Sequence, residues 1–112
     1  ENNKETQGLD IIPGKVKQMK DSPNNLPHIG WNEVCFNKDD ILFNDIKNKQ
    51  DFYFIHSYEF IPNDYKDALS VSNFNSKFVS IIKKNNCYGI QFHPEKSLKK
   101  GLKIIENFLK IK

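Results

Sequence analysis

Phe52-Tyr53-Phe54-Ile55-His56-Ser57-Tyr58-Glu59-Phe60 is aromatic and β-branched, and its first four residues are continuously apolar. Such a run suits a strand covered on both faces of a sheet, and Pro62-Asn63-Asp64 supplies its stop. Working upstream, Asp39 to Ile46 fits a short helix or turn, Ile29 to Phe36 reads as a strand, and Asp21 to Asn25 is rich in turn formers. Val16 and Met19 fit a short strand after the turn signal Pro13-Gly14, into which Leu9, Ile11 and Ile12 run. The polar opening, Glu1 to Gln7, reads as an exposed loop. Downstream, Leu69 to Phe74, Phe78 to Ile82 and Tyr88 to Phe92 are three short strands separated by Asn-rich turns. A helix closes the chain from about Ser97, with Leu98, Leu102, Ile105 and Leu109 spaced as one apolar stripe. The expected fold is α/β, about six strands plus a C-terminal helix, in a single domain over 1–112. One helix cannot cover both faces of such a sheet, so part of a larger domain is expected to be missing.

A length of 112 residues permits one compact domain. The 38% hydrophobic, 28% charged and 12% aromatic composition is that of a globular chain rather than a disordered one. Apolar runs are too short for a membrane-spanning helix, and no basic start followed by an apolar core signals secretion. The net charge is +3, but all 17 basic residues are lysine. Without arginine, the usual reader of phosphates and base edges, no nucleic-acid partner is expected. Two cysteines, Cys35 and Cys87, are too few for a disulfide framework, and the expected compartment is the cytosol.

Chemistry concentrates in Gly89-Ile90-Gln91-Phe92-His93-Pro94-Glu95-Lys96-Ser97. A strand runs into His93, and the proline after it keeps His93 out of the helical region. In an extended segment, side chains two apart project to the same side. Glu95 can therefore accept from Nδ1–H of His93, fix the tautomer and leave Nε2 as a working base. That is the orienting half of a nucleophile–His–carboxylate triad. The tripeptide by itself fits equally a surface His-Pro turn with a solvated Glu.

The segment resembles the closing motif of the class I (triad) glutamine amidotransferases, in which a strand delivers His-Pro-Glu to a cysteine nucleophile. Ile11-Ile12-Pro13-Gly14-Lys15-Val16, Pro27-His28-Ile29-Gly30-Trp31-Asn32, Tyr53-Phe54-Ile55-His56-Ser57-Tyr58 and Gln91 to Ser97 together resemble one branch of that family, the glutaminase subunits of imidazole glycerol phosphate synthase. The resemblance covers essentially the whole chain but only the C-terminal half or so of the family's domain. The family's Gly-x-Cys-x-Gly elbow has no counterpart here. Cys35 lies in the strand-like Glu33-Val34-Cys35-Phe36 and Cys87 follows Asn85-Asn86, so neither has the glycines that free a backbone to make an elbow and oxyanion hole. The resemblance thus implies that the N-terminal part with the nucleophile elbow is missing, and that this chain alone is inactive.

For the complete protein the resemblance implies hydrolysis of glutamine to glutamate and ammonia, with His93 and Glu95 catalytic and no cofactor. It places Ser57 and Tyr58 at the glutamine pocket, although a buried strand with local hydrogen bonds explains them too, and for His56 that local role is preferred. It places Trp31, Asn32 and Lys96 at the contact with the cyclase/synthase subunit that receives the ammonia. Trp31 beside Gly30 also fits a core anchor. Ammonia released into neutral water becomes mostly ammonium, which is not nucleophilic, so a sealed contact between the subunits is a chemical need. Relatives that supply amidino-sugar synthases share these blocks, and a non-catalytic fragment is the other alternative. No metal is expected, because none of His28, His56 and His93 pairs at short range with another His or Cys. The lysines of the last helix fit a solvated helical face.

Overall fold

The computed structural model describes residues 6–7, 12–19, 27–74 and 76–111. In chain order they form β1 (Thr6–Gln7), β2 (Gly14–Gln18), β3 (His28–Phe36), β4 (Gln50–His56), β5 (Tyr58–Pro62), β6 (Ala68–Phe74), β7 (Ser76–Lys84), β8 (Cys87–Ile90) and α1 (Leu98–Leu109). A small sheet has the order β1-β2-β5 and the main sheet the order β4-β3-β6-β7-β8, with every pairing antiparallel among the described residues. None of these helices is long and apolar enough to cross a membrane.

Eight strands stand where the sequence reading expects about six. Part of the difference is the aromatic stretch, which is two strands and not one. β4 ends at His56 and β5 starts at Tyr58 in the other sheet, with Ser57 as the bend between them. Met19 N–H donates to the Ser57 carbonyl at 3.0 Å, which ties the bend to β2. Within β4 the pattern is alternating: Phe52, Phe54 and His56 are buried while Asp51 and Ile55 face outward. Thr6 and Gln7 pair with β2 rather than lying in a loop. Leu9, Ile11 and the turn-rich Asp21 to Asn25 lie outside the described residues.

The core gathers Val34, Leu42, Phe52, Phe54, Leu69, Phe78, Ile81, Phe92 and Ile104. Each fully buried phenylalanine contributes about 2–3 kcal/mol of transfer free energy. The Asp39 to Ile46 segment forms a single 3-10 turn, Ile41–Phe43, begun by Asp40, whose Oδ2 accepts from Leu42 N–H at 3.0 Å. Lys83 Nζ donates to the other Asp40 oxygen, and Tyr88 O–H donates to Oδ2 at 2.6 Å. Burial pushes the Asp40 carboxyl up, but the bonds from Lys83 and Tyr88 outweigh it and hold the group below the usual carboxylate range.

α1 corrects the reading of its apolar stripe. Leu98, Leu102 and Leu109 face solvent, and the buried residues are Gly101, Ile104 and Asn107. Asn107 Nδ2 donates to the carbonyls of Leu42 and Asn44, at 2.8 and 2.9 Å, fastening the helix to the 3-10 turn. Beside the core residue Ile104, a glycine and an asparagine hold the inner face, for close approach and carbonyl satisfaction.

Candidate active site

The stretch from β8 to α1 crosses the open side of the main sheet. Gln91 N–H donates to Ser80 on β7 at 2.8 Å, and two residues later His93 N–H donates to Tyr53 on β4 at 2.8 Å. Two residues span at most about 7 Å, so the segment bridges the β7–β8 side to the free edge of β4. Phe92, between them, points inward against Phe52 and Phe54, with ring centroids 4.5 and 5.7 Å away. This buried aromatic anchors the crossing, and the next residue is turned outward.

His93 is extended, at φ −98° and ψ 97°, and Pro94 opens a 3-10 turn, Pro94–Lys96. The turn closes through Lys96 N–H and Ser97 N–H, which donate to the carbonyls of His93 and Pro94 at 3.1 and 3.0 Å. His93 Nδ1 lies 3.0 Å from Glu95 Oε2. An ionised carboxylate only accepts, so this bond places the proton on Nδ1 and leaves the Nε2 lone pair free. The hydrogen bond from His93, supported by the backbone, holds the Glu95 carboxyl below its usual range. The imidazole side chain is 38% exposed, so it is reachable from outside the fold.

Trp31 is paired with Tyr53 across β3–β4, with ring centroids 5.5 Å apart, and is 46% exposed. It therefore stands one strand away from the backbone that holds His93. Lys100 Nζ lies over the Trp31 and Phe52 rings, at 5.6 and 5.8 Å from their centroids. Asn32 follows Trp31 on β3 and so projects to the opposite face, where Nδ2 donates to the Asn73 carbonyl at 3.0 Å. Lys96 is exposed at the end of the His-Pro-Glu turn. The structure thus gathers Trp31, His93, Glu95 and Lys96 around Tyr53. Ser57 and Tyr58 lie further along, roughly 13 Å for the four residues from Tyr53 to Ser57 at strand rise.

His56 bridges the two places. Its Nδ1–H donates to the Tyr58 carbonyl at 2.9 Å, so its Nε2 accepts from His28 Nδ1–H, also at 2.9 Å. Burial, together with the His93 charge, lowers the His56 pKa despite the Tyr58 carbonyl. Burial and the neighbouring His56 lower His28 to about 4. Both rings are neutral at ordinary pH. Among the described residues no three His, Cys, Asp or Glu side chains converge as metal ligands.

Neither cysteine has the setting of a nucleophile. Burial and a bond from Sγ to Glu33 Oε1 at 3.5 Å raise the Cys35 pKa, the opposite of activation. Cys35 also lies four residues along β3 from Trp31, roughly 13 Å at strand rise. Cys87 is exposed beside the β7–β8 turn, paired with Lys84.

Two residues of this site escape a reading of the sequence. Tyr53 offers both its backbone groups at a free strand edge, which only the sheet order reveals. Ser97, placed just before a helix, has the sequence signature of an N-cap, yet its hydroxyl bonds elsewhere.

Comparison with known proteins gives the family. Residues 7–111 match the family model described as glutamine amidotransferase class-I. The chain is 52% identical over 110 residues to imidazole glycerol phosphate synthase subunit HisH of Pelagibacter ubique (strain HTCC1062), covering 96% of this chain and 52% of that protein. It is 49% identical to the same-named subunit of Methanocaldococcus jannaschii, covering 94% of this chain and 53% of that protein. For the subunit of Chlorobaculum tepidum the identity is 43%, with coverages of 91% and 51%. The chain spans about half the length of the curated relatives it matches.

Proposed function

Because the chain belongs to the class-I glutamine amidotransferase family, we propose that it carries the His–Glu part of a Cys–His–Glu triad. The complete protein is then the glutaminase subunit of an imidazole glycerol phosphate synthase, serving histidine biosynthesis. The observation that carries this reading is the 3.0 Å contact between His93 Nδ1 and Glu95 Oε2 on an extended, reachable rim. The names of the similar subunits support the choice of synthase.

In this mechanism His93 Nε2 takes the proton of a cysteine thiol supplied from outside the described residues. The thiolate attacks the carbon of the glutamine side-chain amide, and the carbonyl electrons move to oxygen. As that oxyanion collapses, the imidazolium gives its proton to the leaving nitrogen, releasing ammonia and a thioester. His93 then deprotonates a water molecule, which attacks the thioester carbon. Return of the proton to sulfur completes the release of glutamate. Throughout, Glu95 keeps Nδ1 protonated and stabilises the imidazolium. Ser57 and Tyr58 contact the glutamine, and Trp31 and Lys96 belong to the contact with the synthase subunit, which keeps ammonia out of water; Asn32, turned to the opposite face of β3 and bonded to Asn73, stands apart from it.

Glutamate and ammonia release by the full-length protein with its synthase subunit tests the reading. His93→Ala should nearly abolish hydrolysis, and Glu95→Gln should lower it by about 10²- to 10⁴-fold through loss of the orienting charge. Full rate in either variant removes His93 and Glu95 from the triad.

A further inference from the structure

We propose that Ser97 is a positioning residue for His93, acting through a closed ring of three hydrogen bonds on the free edge of β4. His93 N–H donates to the Tyr53 carbonyl at 2.8 Å. Tyr53 N–H donates to Ser97 Oγ at 3.0 Å, and the Ser97 hydroxyl donates to the His93 carbonyl at 2.7 Å. The ring runs from His93 through Tyr53 and Ser97 and back to His93, so both backbone polar groups of His93 are held. The inference rests on the reading of His93 as the base.

Three further features say that the place of Ser97 is set by this ring and not by the helix it precedes. At the N-cap position a serine oxygen ordinarily accepts from the second or third helical N–H, which is worth about 1 kcal/mol. Ser97 makes no such bond, and its acceptor lone pair faces Tyr53 instead. Leu98 follows at φ 62°, a left-handed conformation that is strained for leucine and that starts the helix directly from the ring. Gly101 completes the arrangement. A Cβ there would stand 1.9 Å from the Pro94 carbonyl oxygen and 2.7 Å from Ser97 Cβ, so only glycine lets α1 sit this close to the turn. An interior glycine weakens a helix by about 1 kcal/mol relative to alanine. A weakly capped start, a strained leucine and an interior glycine all disfavour the helix, and all keep Ser97 pressed between Tyr53 and His93.

The consequence is geometric. His93 lies on a connection, not inside a ladder, and a connection can rock. A displacement of about 1 Å of a reacting group costs on the order of 10²-fold in rate. The ring removes that freedom at both ends of the His93 peptide units and leaves Glu95 to fix only the imidazole rotation.

The test uses the full-length protein with its synthase subunit, and compares Ser97→Ala, Ser97→Cys and Ser70→Ala. Ser70 is equally buried and bonds to the Ser80 hydroxyl at 2.8 Å on β6–β7, so it controls for loss of a buried hydroxyl. Ser97→Ala should lower kcat about 10- to 100-fold with KM for glutamine nearly unchanged, and should move the limb of the kcat–pH profile that reports the imidazole. Ser70→Ala should lower the melting temperature without altering kcat or that limb. Where Ser97→Ala fails to fold, Ser97→Cys keeps the shape with a much weaker donor and should show the same kcat loss. Wild-type kcat in whichever Ser97 variant folds, or a loss matched by Ser70→Ala, overturns the proposal. An independent arm follows the His93 ring nitrogens by NMR during a pH titration without glutamine. A wild-type protein that releases no ammonia would refute the glutaminase reading alone. The imidazole titration then decides this inference, since an unchanged His93 signal in the Ser97 variant overturns it.

Discussion

His28 and His56 face each other across β3–β4 with ring nitrogens 2.9 Å apart, and the stacked rings of Phe54 and Phe74 shut His28 away from water. Its pKa falls to about 4 from an ordinary 6.5 because burial penalises the charged ring, and His56 adds to this. Between those two values the unfolded chain binds a proton that the folded chain refuses. Stability is therefore full above pH 6.5 and drains away as the pH falls toward 4, by up to about 3 kcal/mol. His28→Phe keeps the stack and removes the titrating group, so its melting temperature should fall less steeply than that of the wild type between pH 7 and 4.5. Equal slopes for the two proteins would place the acid sensitivity elsewhere. The contrast with His93 shows what a sequence discloses at this scale. The His93–Glu95 contact is legible because two residues of extended chain fix it locally. The His28–His56 bond depends on strand register across 28 residues, and the Ser97 ring on which strand edge is free.

At the scale of elements, α1 shows how apolar spacing misleads when packing is close. Leu98, Leu102, Ile105 and Leu109 keep helical spacing, yet Leu102 is 58% and Leu109 75% exposed, while Asn107 is buried. Spacing identifies a face that is apolar; it does not say which face meets this sheet. Gly101 and Asn107 share the inner face with the core residue Ile104 because the helix lies against the Pro94 turn and the Leu42 and Asn44 carbonyls. Asn107→Leu should therefore destabilise the fold although it adds apolar surface, since it strips the buried Leu42 carbonyl and the half-buried Asn44 carbonyl of their donor, at about 1–3 kcal/mol. Leu102→Gln on the outer face should change stability by less than about 0.5 kcal/mol. Denaturant midpoints of the two variants in the full-length protein check both, and an Asn107→Leu protein as stable as wild type would show that the clamp contributes nothing. The split at Ser57 has a related cause. Composition marks β4 and β5 as strand alike, whereas the hydrogen bond from Met19 and the turn of the His56 ring onto Tyr58 decide that they belong to different sheets.

Over the whole molecule, the sheet has one face closed by its own core and another that is not. Ile29 is 59% exposed and Ile55 and Trp31 join it on the outward side of β3 and β4, while Leu98, Leu102 and Leu109 line the outside of α1. Lys100, over the Trp31 and Phe52 rings, links the helix to that sheet face. Exposed apolar side chains grouped on one face favour association. β4, which reads as apolar on both sides in the sequence, alternates instead, with Ile55 exposed on its outward side. For these 112 residues produced alone, sedimentation velocity should show concentration-dependent self-association, and replacing Ile29, Ile55, Leu102 and Leu109 by lysine should return the chain to monomer. The same preparation should yield no glutamate from glutamine, because Cys35 is held protonated beside Glu33 and Cys87 opens β8 just after the hairpin turn. Turnover that disappears in Cys35→Ser or Cys87→Ser would identify a nucleophile inside these residues. A monodisperse monomer at every concentration would mean that the outward apolar faces are tolerated by water as they stand.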